Sequence, residues 1–154
     1  PFWMIGATGA EVEVDTETGE FKVTRLVNLV DVGKSINPSI VETQISGATV
    51  MQLGFTLTEQ MNFDAGQVTN ASLADYKIPG IRDIPLMENE AVDANQRSGP
   101  FGAKGVGEAG AVAAPPAVTG AIVDALAPLG VTHVEMPCTP DRVWRSIARA
   151  VSGQ

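Results

Sequence analysis

Residues 102–110 read Gly-Ala-Lys-Gly-Val-Gly-Glu-Ala-Gly, so four of nine positions are glycine. An Ala- and Val-rich segment with helical character follows, residues 109–129. The pairing predicts a tight loop that opens a helix. Glycines at such a junction take positive φ and let another group come close with no Cβ in the way. The first amides of the helix have no partner inside it, and with the macrodipole they favour an anion or polar ligand. Glu108 is the carboxylate at the centre of this apparatus. Two readings of it stay open on the residues alone. It is a helix N-terminal carboxylate that satisfies free amides, or a general base whose pKa is set by a polar, water-poor rim.

The rest of the composition bounds what surrounds the loop. A chain of 154 residues fits one domain or a large part of one and can bury a core. It is 44% hydrophobic and only 18% charged, which predicts a surface partly covered by something else. The formal net charge is −8 and no Lys/Arg cluster stands beside aromatics, which argues against nucleic acid or an anionic membrane surface as partner. One cysteine, Cys138, forbids an internal disulfide, and with a single histidine no Cys/His metal site forms from this chain alone. No apolar run reaches the roughly 18 residues of a membrane span and no signal peptide is visible, so a soluble, acidic, cytoplasmic protein is expected. Pro1-Phe2-Trp3 is apolar and lacks an initiator Met; a processed subunit, a nicked chain and an excised piece are all consistent with it.

Along the chain, residues 10–15 alternate as AEVEVD, and Thr16-Glu17-Thr18-Gly19 supplies turn chemistry before a second β-rich run at 21–32. This predicts a β-hairpin whose second strand is buried on both faces toward its end. Asn37 and Pro38 read as N-cap and first position of a helix over 38–58. Val41, Ile45, Ala48 and Gln52 share one stripe of it; Gln44, Gly47, Met51 and Gly54 share a neighbouring one. The two glycines there invite close approach by another backbone or a flat ligand, and Gln44 both donates and accepts hydrogen bonds. The alternative is a helix packed on a strand with Gln44 at its edge.

Asp64-Ala65-Gly66 signals a second hairpin, flanked by 59–63 and 67–70. Residues 71–84 carry two prolines and Gly80 and predict an extended surface passage. A strand at 85–92 and a polar connector at 93–100 lead into the glycine loop. Pro115-Pro116 predicts a break between helical pieces at 108–114 and 116–126. Gly130 then ends the helix, a short strand covers 132–136, and a last helix runs over 141–151 with Val143, Ile147 and Val151 on its apolar side.

Several motifs reduce to packing. Residues 105–110 match the letters GxGxxG, but no hydrophobic strand precedes them and no βαβ unit is present, so dinucleotide binding is disfavoured. His133 reads as structural, Cys138 beside Pro137 as a buried small apolar residue, and Trp3, Trp144 and Tyr76 as packing residues.

Three stretches carry a resemblance: DVGKSINPSIVETQISGATVMQLG, ASLADYKIPGIRDIP and GAKGVGEAG with its Ala-rich helix. In this order they resemble the C-terminal part of the molybdenum-binding subunit of the xanthine dehydrogenase, or molybdenum hydroxylase, family. The resemblance covers residues 10–151. It implies an α+β fold, a β-hairpin and short strands packed with several helices, forming an incomplete part of a larger molybdopterin-binding domain. It implies that Glu108 is the base that takes a proton from the attacking oxygen, and that the product carries oxygen from water. It places the molybdenum-molybdopterin cofactor, with the cytosine dinucleotide form expected in bacterial members, against Gln44 and the backbone of Lys104, Gly105, Val106 and Gly107. No direct metal ligand is expected here. The family's other cofactor loops, a Gly-Gln-Gly segment among them, lie upstream of what is present. The expected partners are therefore a larger molybdenum-subunit chain, an iron–sulfur subunit with [2Fe-2S] clusters and a flavin subunit with FAD, acting on a small-molecule substrate. An aldehyde or purine-like N-heterocyclic carbon is the leading substrate class, with other N-heterocycles and carbon monoxide also open. A non-catalytic assembly segment of such a complex is the alternative.

Overall fold

The computed structural model describes residues 3–94 and 97–153. Strands β1 (Gly6–Val14) and β2 (Phe21–Asp31) form the expected antiparallel hairpin, with Gly6 opposite Val30, Val14 opposite Phe21 and a register shift between Glu11 and Val12. Its turn is closed by Asp15, whose Oδ1 accepts from the Glu17 amide at 2.8 Å. Gly19 takes φ +77° and lies so close to the Pro140 carbonyl that no Cβ would fit.

Helix α1 (Pro38–Leu57) follows, with Asn37 as the N-cap accepting from the Ile40 amide at 3.2 Å and Pro38 in its first turn. Pro at that position is preorganised for the helix and forfeits an amide that would have no partner anyway. The second hairpin is reduced to β3 (Phe63–Asp64) and β4 (Gln67–Val68), turning through Ala65 and Gly66, both at positive φ. Residues 71–84 hold one 3-10 turn, Ile81–Asp83, as a proline-broken passage should. Strand β5 (Leu86–Val92) then pairs parallel to β2, giving a three-stranded sheet in the order β1-β2-β5. A parallel neighbour requires a crossover, and α1 lies within it.

Helix α2 (Ala114–Leu126) packs on β1, and α3 (Pro140–Ser152), capped by Thr139, closes the far end. The main core joins Leu26, Leu53, Val118, Ile122, Leu126, Val134, Cys138 and Val143. A smaller cluster of Val30, Val32, Ile45 and Ala109 sits where β2, α1 and the glycine loop meet. Between strands and α1 runs a chain of polar side chains. Thr8 Oγ1 donates to the buried Asn28 Oδ1 at 2.8 Å, Asn28 Nδ2 to Asn89 Oδ1 at 2.9 Å, and Asn89 Nδ2 to Ser46 Oγ at 2.8 Å. Each buried amide of that chain is thereby satisfied, which removes most of its burial cost.

Several expectations are corrected. Strand β2 is not buried on both faces, since Leu29 is 40% exposed; the core takes the face of Leu26, Asn28 and Val30. Residues 107–113 form a run of turns rather than a helix, and Pro115 and Pro116 occupy the first turn of α2, where proline initiates instead of kinking. No strand forms at 132–136; Val131 and Val134 bury their side chains from an irregular segment. Val151 is exposed, leaving Val143 and Ile147 as the apolar side of α3. Trp3 is largely solvent-facing rather than packed, and Trp144 is half-exposed with its Cβ close against Gly19. Tyr76 is half-buried and donates to Glu59 Oε2 at 2.6 Å. Pro1, Phe2 and two residues of the polar connector, Asn95 and Gln96, lie outside the described residues.

Candidate active site

The glycine loop is fastened at both ends and free in the middle. At its start it forms a two-rung bridge to the segment after β2. The Lys34 amide donates to the Gly102 carbonyl at 2.8 Å and the Lys104 amide to the Val32 carbonyl at 2.9 Å. The Lys104 side chain turns inward. Its Nζ lies 2.6 Å from Asp31 Oδ2 and 2.8 Å from the Trp3 carbonyl, with only 6% of the lysine side chain and 12% of the aspartate exposed. The Lys104 ammonium, and then the Gly33 amide at 2.9 Å, hold the Asp31 carboxyl below the usual carboxylate range.

The far end is fastened to α1. A Cβ on Gly110 would lie 2.7 Å from the Ile45 carbonyl and 2.9 Å from Thr49 Oγ1, so only glycine allows this approach. Thr49 Oγ1 donates to the Ile45 carbonyl at 2.9 Å and faces the Gly110 carbonyl at 3.5 Å. Ala109 is buried against Val30 and Ile45, and Val106 packs on the same cluster.

Between these anchors stand Gly105, Val106, Gly107 and Glu108. Among the described residues, none of their four amides donates to a protein acceptor. Positions where a Cβ would stand on Gly105 and Gly107 meet nothing within 4 Å. Among the described residues the one side-chain hydrogen bond onto this stretch comes from Gln44, whose Nε2 donates to the Gly107 carbonyl at 2.5 Å. Glu108 is exposed, and its carbonyl accepts from the Ala111 amide at 3.0 Å. The four open amides are free main-chain donors for an anionic or acceptor-rich ligand, and none of the four residues takes the left-handed conformation of a backbone nest.

Of the residues expected from sequence, Gln44 is thus joined to the loop at Gly107; Gly105, Gly107 and Glu108 are exposed and Val106 is half-buried. Lys104 stands apart: its amide and its ammonium both have partners within the chain. Glu108 is not at a helix N-terminus, because α2 begins only at Ala114, so its setting owes nothing to a helix dipole. Asp31 and Thr49 were not anticipated. Asp31 carried a signal, a short acidic residue two positions before the positive-φ Gly33, where such side chains bind the backbone amide ahead. Among the described residues no cluster of His, Cys, Asp and Glu could hold a metal ion directly, and no helix is long and apolar enough to cross a membrane.

A model of the molybdopterin cofactor-binding domain matches residues 1–85. The chain belongs to this family. The carbon monoxide dehydrogenase large chain of Hydrogenophaga pseudoflava is 42% identical over 137 residues, 88% of this chain and 17% of that protein. The crystal structure of a Cu,Mo-CO dehydrogenase in the carbon monoxide reduced state superposes with a TM-score of 0.89 at 31% identity, covering 96% of this chain and 19% of that one. Quinoline 2-oxidoreductase from Pseudomonas putida 86 gives a TM-score of 0.84 at 40% identity over 89% of this chain and 18% of that one. The α+β architecture is therefore that of a piece of these molybdopterin-binding proteins, and the chain spans less than a fifth of their length. The residues fit the cofactor of this molybdopterin-binding family. A pterin with its phosphate needs main-chain donors and room for a flat ring, and the open amides of 105–108 beside the unobstructed Gly105 and Gly107 offer both.

Proposed function

We propose that this chain is part of a molybdopterin-dependent oxidoreductase that hydroxylates an aldehyde or N-heterocyclic carbon with oxygen from water, Glu108 acting as general base. The observation that carries the reading is the row of unpartnered amides from Gly105 to Glu108, with Gln44 beside it and an exposed carboxylate at its end. In this reading the amides of Gly105, Val106 and Gly107 hold the cofactor. Gln44 steadies the loop through the Gly107 carbonyl and keeps Oε1 as an acceptor toward the pterin. Glu108 draws a proton from the attacking oxygen onto its carboxylate, a role that needs reach and a base rather than a fixed partner. When bound, the molybdenum cofactor supplies the two-electron oxidation. The net change replaces a substrate C–H by C–OH and releases two protons and two electrons. The electrons leave through [2Fe-2S] clusters and FAD on partner subunits. A cytosine dinucleotide form of the pterin and a cytoplasmic location complete the proposal. The 40% identity to a quinoline oxidoreductase speaks for an N-heterocycle as substrate, and the 42% identity to a carbon monoxide dehydrogenase large chain keeps carbon monoxide as the competing one.

Elemental analysis of the native assembly, with intact masses of its chains, is the first measurement; molybdenum together with a longer chain is expected. Replacing Glu108→Gln in that assembly should lower turnover roughly 10²–10⁴-fold with molybdenum content unchanged. Unchanged turnover would sink the base and leave a non-catalytic assembly segment.

A further inference from the structure

Helix α1 is apolar on two opposite sides. Of its 20 residues only Glu42 is ionisable. One side is used within the chain, with Ile45, Ala48 and Leu53 buried. The other carries Ile40, Gln44, Gly47, Met51 and Phe55, spaced as one helical stripe with no charge on it. Ile40 is 63%, Met51 39% and Phe55 46% exposed. A helix with apolar residues on two opposite sides is built to be covered on both.

The two glycines of this helix separate the used space from the open space. A Cβ on Gly54 would collide with Glu59 and lie 2.9 Å from Pro79, so that glycine answers a contact within the chain. A Cβ on Gly47 would meet nothing within 4 Å. Glycine inside a helix costs about 1 kcal/mol against alanine, and nothing among the described residues calls for it at position 47. Gly47 also lies one helical turn from Gln44, so whatever seats there borders the glycine loop.

We infer that the stripe from Ile40 to Phe55 is the seat of an uncharged segment of the molybdenum subunit lying outside these 154 residues, its backbone passing closest at Gly47. The inference rests on the reading of this chain as part of that subunit. It spans only 17% of the carbon monoxide dehydrogenase large chain, which leaves most of such a protein to supply the cover. Continuity with the cofactor loop through Gln44 and Gly107 favours that occupant over a second copy of this chain.

The test uses the full native assembly with Met51→Cys and Phe55→Cys, and with Glu17→Cys in the exposed β1–β2 turn as control, each labelled with a maleimide and read by peptide mass. Labelling at 51 and 55 should be about ten-fold slower or more than at 17, because the cover must open first. Adding Gly47→Leu, whose Cβ meets nothing within 4 Å in this chain, should bring the rate at 51 toward the control. Control-rate labelling at 51 and 55 overturns the inference, as does protection that Gly47→Leu leaves intact. Molybdenum measured on the same samples separates the two readings. A protected stripe without molybdenum defeats the cofactor proposal alone, and molybdenum with a freely labelled stripe defeats this one alone.

Discussion

Gln44 Nε2 donates to the Gly107 carbonyl at 2.5 Å, joining residues 63 apart in sequence. Among the described residues it is the one side-chain hydrogen bond onto the stretch whose amides are open. Gln44→Ala should remove a hydrogen bond worth about 1 kcal/mol and, if the proposed cofactor seat is right, an acceptor toward the pterin, lowering cofactor affinity roughly five- to thirty-fold. The reading is molybdenum per assembly when cofactor supply is limiting. A helix-edge glutamine without a role at the cofactor would leave that ratio unchanged.

The Asp31–Lys104 pair sets the base of the same loop. Lys104→Ala leaves a carboxylate that is 12% exposed without its countercharge, which costs on the order of 3–5 kcal/mol. The pH dependence follows from the lowered pKa of Asp31. The pair's contribution is fully present above the unfolded carboxylate value of about 3.9 and is lost as pH falls through the lower folded value. Thermal melts over this acid range should show wild-type stability falling with pH more steeply than that of Asp31→Asn.

Gly110 carries a sharper prediction. In Gly110→Ala the new methyl meets the Ile45 carbonyl at 2.7 Å, and helix backbone yields little. The loop must lift from α1, at a cost of about 1–3 kcal/mol. Turnover should fall with stability, since Glu108 lies two residues away. Gly105→Ala, at an open position, should spare the melting temperature and affect molybdenum content alone.

How much of this was legible in the sequence varies with the range of the interaction. Asn37-Pro38 and Thr139-Pro140 announce helix starts because capping is settled within four residues, and the Thr16–Gly19 turn is equally local. The parallel pairing of β5 with β2 depends on a crossover of more than fifty residues, which no local pattern encodes. The 107–113 turns looked helical because Ala favours helix, yet Gly110 is held against α1 and the backbone follows that contact. Lys104 looked like a cofactor contact by position; that its ammonium turns to Asp31 is a tertiary fact. Gln44 and Glu108 were found through the family resemblance, and their residue types alone left packing roles open.

Cys138 offers a test of chemical silence. It is fully buried, its amide donates to the Thr56 carbonyl at 2.6 Å, and Thr119 Oγ1 lies 3.8 Å from its sulfur. Burial pushes the thiol pKa up, outweighing the Thr119 hydroxyl and the nearby Arg142 charge. The neutral thiol is a poor nucleophile, and the site is closed to reagents. Iodoacetamide at neutral pH should therefore leave Cys138 unmodified until denaturant is added. Substitution should follow packing rather than reactivity. Cys138→Ala removes one sulfur from the core and should cost about 1 kcal/mol. Cys138→Ser keeps the shape but buries a hydroxyl with one distant partner, and should cost roughly 1–3 kcal/mol. Melting temperatures in the order wild type, Ala, Ser, with turnover unchanged in the folded variants, would fix Cys138 as a packing residue; lost turnover in a stably folded Ala variant would give it a role in the chemistry.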